Sequence, residues 1–393
     1  MPASTQPPAR ARRMRAAECR LDDFRELVEQ TIVADDVAFA DRVECGVPIY
    51  DAEHLRAAVA GGARDDVLAE LAWVFLDGPG IAVFAGAFPD RSVVDRVSDA
   101  FRSMIADQHA RGVQIGDHYA KPGANDRVWN AIEKLALLDP DAFVAYYAND
   151  IIALAAQAWL GPHYEVSSQV NVVNPGGEAQ SPHRDYHLGF LTDAEAEQFP
   201  AHVHRLSPML TLQGAVAHVD MPVESGPTHY LPHSQKYELG YLAWRRPEFI
   251  AYFRDHLVQL PLTLGDAVFF NPALFHAAGT NRSTDIHRMA NLLQVSSVFG
   301  KAMETIDHEA MTNAVYRAIL RASDAGTPPD DIDRAITATT DGYSFPGNLD
   351  RDPPLAGLAP PTQADIVRRA VAERWAPTAL AAELAALAER RRT

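Results

Sequence analysis

The chain is poor in the residue types that announce a scaffold, an anchor or a polyanion site. Two cysteines in 393 residues, Cys19 and Cys45, cannot build a disulfide framework or a cysteine-rich zinc site, and both are expected to be inert thiols. No apolar run approaches the roughly 18 residues a membrane span needs. The basic N-terminal stretch (Arg10, Arg12, Arg13, Arg15) is not followed by a hydrophobic segment, so no secretory signal is expected. The C-terminal Arg390 to Thr393 matches no retention or peroxisomal signal. Internal repeats and a glycine-rich phosphate loop are also missing. Cations are scarce: 35 Lys+Arg against 52 Asp+Glu give a net charge of −17. Such a chain repels phosphate backbones, and its only dense basic stretches are at the termini. The expectation is a cytoplasmic protein acting on a small molecule, with no nucleic-acid or membrane partner; the oligomeric state is not readable.

What is present is ordinary globular material, 47% apolar and 22% charged. Residues 1–77 read as a loose arm followed by helices over 20–44 and 52–76. Gly80 to Phe84 is a short β-rich run, and Pro89-Asp90 opens a helix through Met104. Between about 163 and 300 the chain is mostly strands punctuated by turns. The runs are Tyr164 to Val173, His183 to Phe190, Met209 to His218, Thr228 to Leu231, Leu260 to Leu264, Ala267 to Phe270 and Met289 to Val298. Turn signals such as Asn174-Pro175-Gly176-Gly177 and Leu264-Gly265-Asp266 separate them. Many short strands argue for a jelly-roll or barrel rather than a doubly wound sheet. Residues 305–324 and 362–390 return to helix, the latter with an apolar stripe of Leu380, Leu384 and Leu387 expected to pack inward. The division is therefore 1–77 arm and helices, 78–300 jelly-roll, and 301–393 helical extension.

The chemistry concentrates in Ser181-Pro182-His183-Arg184-Asp185-Tyr186-His187. On a strand, alternate side chains share a face, so His183, Asp185 and His187 point one way. A histidine and a carboxylate two apart can bind one metal from adjacent corners. His276, 93 residues after His183 and just before another strand, is the best third ligand. Two histidines and one carboxylate form the facial triad of non-haem Fe(II) oxygenases, with positions left open for substrate and oxygen. Arg288 follows twelve residues later, at the start of a strand. An inward arginine is costly unless it meets an anion, and its fork matches a carboxylate bidentately.

These residues resemble the phytanoyl-CoA dioxygenase family of Fe(II)/2-oxoglutarate-dependent oxygenases. The resemblance runs from about Gly78 to Val298, with the family's H-x-D…H…R pattern falling on His183, Asp185, His276 and Arg288. It implies a double-stranded β-helix (jelly-roll, cupin-like) core with flanking N- and C-terminal helices, mainly β in its centre. It further implies Fe(II) on the three ligands, 2-oxoglutarate held by Arg288, O2 as co-reactant, and release of succinate and CO2. Glu224-Ser225-Gly226-Pro227-Thr228 is similar to the family's N-G-P turn. Two departures stand out. Pro232-His233-Ser234-Gln235 replaces P-G-S-H, and Ala278 stands where a hydroxyl often helps bind the cosubstrate, leaving Thr280 as the substitute. Because Asp185 is present, hydroxylation, or another oxidation such as desaturation, is expected rather than the halogenation of related enzymes with a small residue there.

Other readings stay open. Gln169 and Asn171 alternate inward and either hydrogen-bond 2-oxoglutarate or cap the sheet. His202-x-His204 has a metal-like spacing, but its surroundings suggest surface histidines on a loop. The stretch Tyr119 to Asn130, with Lys121, Arg127 and Trp129, either holds an anion, substrate or cosubstrate, or pairs with surface carboxylates while Trp129 packs on a helix starting near Ala131. The alternative functions are a catalytically silent jelly-roll binding protein and a cupin-like zinc hydrolase, the latter leaving Arg288 without a role.

Overall fold

The computed structural model describes residues 13–112, 123–355 and 357–392. The chain divides into two compact units. One comprises Met1–Ala87, Gly116–Asp126 and Val172–Ala290; the other comprises Phe88–Ile115, Arg127–Asn171 and Asn291–Thr393. Eleven strands are described, the first five being β1 (Arg42–Glu44), β2 (Val47–Asp51), β3 (Ile81–Ala85), β4 (Asn125–Val128) and β5 (Tyr164–Val173). The remainder are β6 (Thr211–Ala217), β7 (His229–Leu231), β8 (Val258–Gln259), β9 (Ala267–Phe270), β10 (Phe275–Ala277) and β11 (Arg288–Ser297).

The first unit holds the two facing arrays of a jelly-roll. Its larger array runs β1-β2-β3-β9-β6, and its smaller one runs β10-β7-β8. β6 and β9 are buried along their whole length, as expected of continuous apolar runs in the middle of a sheet. They pair antiparallel with Gly214 opposite Phe269, and a Cβ at Gly214 would stand 2.5 Å from that ring. In the smaller array β10 lies antiparallel to β7, with His276 opposite Tyr230. The free side of β10 meets His183 through the pair His183 N–H to His276 O (3.0 Å) and His276 N–H to His183 O (3.2 Å). Two of the sequence's candidate ligands are thus direct cross-strand neighbours.

The second unit is largely helical, and its helices carry their own start signals. Asp90 caps Arg91–Ala110, Asp139 caps Pro140–Tyr147, Asn149 caps Asp150–Leu160, and Asp307 caps His308–Asp324. The stripe Leu380, Leu384 and Leu387 is buried on Pro377–Arg391. About 48% of residues are helical against 17% in strands, so the β-helix is the centre of the chain and the helices flanking it make up its bulk.

Several local expectations are corrected. The helix expected over 20–44 ends at Val28, and Arg42–Glu44 is instead the first strand of a hairpin. Cys45 (φ 52°) and Gly46 (φ 75°) make its two-residue turn, both left-handed, which a Cys-Gly pair signals less clearly than Asn-Gly. The helix over 52–76 is interrupted at Val59–Ala63, where Gly62 adopts φ 94°. The run Leu260 to Leu264 keeps only a single bridge, Leu262 with Met221, because Pro261 cannot donate to a ladder. The helix over 362–390 is two helices, Gln363–Ala372 and Pro377–Arg391, the second opened by its proline. The strand expected from His183 to Phe190 stops at the metal site, as described next.

Candidate metal centre

Asp185 N–H donates to Pro272 O (3.0 Å), so the peptide is extended from His183 to Asp185 and puts both side chains on one face. Tyr186 then turns the chain with φ 55°, and His187–Phe190 is a 3-10 turn. His187 therefore leaves the ligand face; its Nδ1 lies 3.3 Å from Ser207 Oγ. Ligand atoms of His183, Asp185 and His276 all fall within 4.8 Å of one another, the only such group among the described residues.

The two imidazoles are prepared for a metal. His183 Nδ1 lies 3.1 Å from Ser181 O, and His276 Nδ1 lies 2.8 Å from Leu274 O. A carbonyl can only accept, so each Nδ1 carries the proton and each Nε2 presents a lone pair. Those Nε2 atoms lie 3.8 Å and 3.5 Å from the two oxygens of Asp185. Burial by itself pushes the Asp185 carboxyl up. When the two imidazoles carry a second proton, the His183 charge, the hydrogen bond and charge of His276, and the Gln213 amide outweigh it and hold the group well below the usual carboxylate range; with the rings neutral, the Gln213 N–H remains as its donor. Gln213, on β6, donates to Asp185 Oδ2 at 2.6 Å, and Tyr241 donates its hydroxyl to the Asp185 carbonyl at 3.1 Å. Sequence reading missed both. A glutamine inside a wholly buried strand was the available signal, because a buried amide needs a partner.

Arg288 opens β11 and is 6% exposed, with no partner at its Nη1. Burial pushes its guanidinium down to about 10, and the one compensating neighbour is Tyr230, the residue opposite His276. A buried cation with an unanswered N–H is suited to an anionic group. Arg282, by contrast, is exposed.

The other expected residues fall as follows. Thr280 Oγ1 accepts the Ala179 N–H at 3.0 Å, and Ala278 pairs with Gln180 through its backbone. In the second unit Gln169 and Arg127 meet each other: Arg127 Nη1 donates to Gln169 Oε1 at 2.6 Å, and its guanidinium lies 4.8 Å over the Trp129 ring. Gln169 Nε2 donates to Glu304, whose carboxyl is pushed up by burial. Arg127 is thus buried, not paired at the surface. Tyr119 and Lys121 lie outside the described residues. His204, expected on a surface loop, is buried in the helix Ala201–Met209, its Nε2 3.0 Å from Ala196 O; His202 is exposed. Cys19 is buried, and that burial pushes its thiol up to about 11, in keeping with an inert role. His233, standing where the family has glycine, adopts φ 67°.

Against models of known families, residues 76–290 match phytanoyl-CoA dioxygenase (PhyH), more than half of the chain. The chain belongs to the phytanoyl-CoA dioxygenase family. It is accordingly an enzyme of the non-haem iron and 2-oxoglutarate class, with Fe(II), 2-oxoglutarate and O2 as its reagents. A search of curated proteins returned no match. Among solved structures, the non-heme alpha ketoglutarate dependent epimerase SnoN from nogalamycin biosynthesis is 22% identical, over 60% of this chain and 82% of its own, with a TM-score of 0.41. AviO1 from Streptomyces viridochromogenes Tue57 is 16% identical over 56% and 90%, TM-score 0.41. The carbocyclase SnoK from nogalamycin biosynthesis is 20% identical over 58% and 83%, TM-score 0.39. No described helix is long and apolar enough to cross a membrane.

The donor set of this family member suits the implied reagents. Two neutral imidazoles and one carboxylate leave positions open on a divalent iron, and the unanswered Arg288 N–H suits a second carboxylate.

Proposed function

We propose that the protein hydroxylates a small organic molecule at a centre made of His183, Asp185, His276 and Arg288. The observation that carries the assignment is a triad with both Nε2 atoms turned to the Asp185 carboxylate, in the same compact unit as a buried arginine with an unanswered N–H at the start of β11. His183 and His276 would hold iron through Nε2 and Asp185 through one oxygen, while Gln213 fixes the carboxylate by donating to Oδ2. Arg288 holds the distal carboxylate of 2-oxoglutarate. Thr280 is assigned to the same cosubstrate as a secondary contact. When bound, iron and 2-oxoglutarate supply the oxidant; the chain's task is to orient them and keep water away. A zinc hydrolase would use the same triad but gives Arg288 nothing to hold. The test is succinate formation from 2-oxoglutarate in the presence of a metabolite panel. Formation that needs both Fe(II) and O2 supports the proposal; substrate turnover without oxygen overturns it.

A further inference from the structure

Between the two ligands of the H-x-D segment stands Arg184, which strand alternation turns away from the metal face. It is 2% exposed, and no carboxylate pairs with it among the described residues. Its Nη2 donates to the carbonyls of Ser234 and Tyr237 (the latter at 3.1 Å). The guanidinium lies 5.2 Å from the centroids of both Tyr241 and Phe275. A Cβ on Gly240 would overlap the guanidinium carbon, so the glycine is what leaves room for it.

Two of these partners adjoin candidate metal ligands. Phe275 precedes His276 in β10 and donates its N–H to Ser234 Oγ at 2.8 Å. Tyr241 donates to the Asp185 carbonyl at 3.1 Å. Ser234, Tyr237 and Tyr241 belong to one segment, so Arg184 ties that segment to both ligand-bearing stretches. Burying a cation without a counter-charge costs several kcal/mol, and cation–π contacts and two charge-assisted hydrogen bonds offset only part of it. An apolar residue would fill the space with less penalty. What it would not do is fix two carbonyls in direction.

We infer that Arg184 is a positioning residue for the metal centre, setting the separation of Asp185 and His276 by holding the 234–241 segment against both. This rests on the proposed triad, and the test separates the two. Apo protein is titrated with Co(II), reading the dissociation constant and the visible absorption of the bound ion, alongside apo melting temperature. The variants are Arg184→Lys, which keeps charge and length but loses the planar fork; Gly240→Ala, which displaces the guanidinium; and Leu384→Ala, which loosens buried packing on Pro377–Arg391. The expected result is a dissociation constant raised about tenfold or more, with altered absorption, in the first two. Leu384→Ala lowers the melting temperature and leaves Co(II) affinity and absorption as in the wild type. Wild-type affinity and absorption in folded Arg184→Lys overturn the inference alone, as does an affinity loss in Leu384→Ala that tracks melting temperature equally. Failure of the wild type to bind Co(II) overturns the triad and this inference together.

Discussion

Replacing Arg288 by leucine separates cosubstrate binding from folding, because the two are expected to move in opposite directions. In the free protein the guanidinium is 6% exposed and its Nη1 is unanswered, so it is a net burden on the apo fold. Leucine occupies similar space without charge, and the apo variant should melt at or above the wild-type temperature. Binding should suffer. A carboxylate gripped by the fork gains two charge-assisted hydrogen bonds, each worth about 1.5–3 kcal/mol before the desolvation of both partners. Taking a net loss of about 3 kcal/mol, and about 1.4 kcal/mol per decade, the dissociation constant for 2-oxoglutarate rises roughly a hundredfold. The assay is calorimetric titration of 2-oxoglutarate into Mn(II)-loaded protein without oxygen, with Mn(II) affinity measured separately and expected to stay within about threefold. Unchanged 2-oxoglutarate affinity refutes the assignment and turns attention to Arg282. A marked fall in apo melting temperature refutes the claim that the buried cation awaits an anion.

Three further outcomes are expected. Wild-type enzyme turning over in chloride buffer gives no chlorinated product by mass spectrometry, because on the proposed centre the Asp185 carboxylate would take the coordination position a halide needs. Arg127→Ala leaves the buried Gln169 Oε1 without its donor and empties the space over Trp129, so the apo melting temperature should fall, by about 1–3 kcal/mol of stability; an unchanged melting temperature would contradict the burial of that pair. Burial, then the Lys236 charge, push the His233 imidazole down to about 4 from its ordinary value near 6.5. Its neutral form therefore favours the fold above pH 6.5, and that contribution is lost as pH falls toward 4, where the unfolded chain takes up the proton first. His233→Gly should flatten this acid limb in melting temperature against pH, and an unchanged slope would point to other groups.

The grouping of His183, Asp185 and His276 was legible because residues two apart on an extended segment share a face, and the structure brings their donor atoms within 4.8 Å of one another. Strands β5 and β9 likewise have the boundaries their apolar runs announce. The end of the H-x-D strand was not legible. Tyr186 has no local reason to adopt φ 55°; surrounding structure holds it there, through Ser207 Oγ donating to its carbonyl at 3.1 Å. Gln213 and Tyr241 support Asp185 from 28 and 56 residues away, a relation no periodicity encodes. Arg184 gave no signal in the sequence because its partners, Ser234, Tyr237, Tyr241 and Phe275, are 50 or more residues away in the chain. His204 was misplaced because Pro200 reads as a loop residue, yet it is the residue from which a helix starts.

The most direct test of the central claim is anaerobic Fe(II) stoichiometry per chain for the wild type, His183→Ala and His276→Ala. The wild type should bind one equivalent and each variant essentially none, with secondary structure by circular dichroism intact in all three, since two ligands hold weakly an ion low in the affinity series. No bound iron in the wild type, or a full equivalent retained by a folded His276→Ala, would contradict the account.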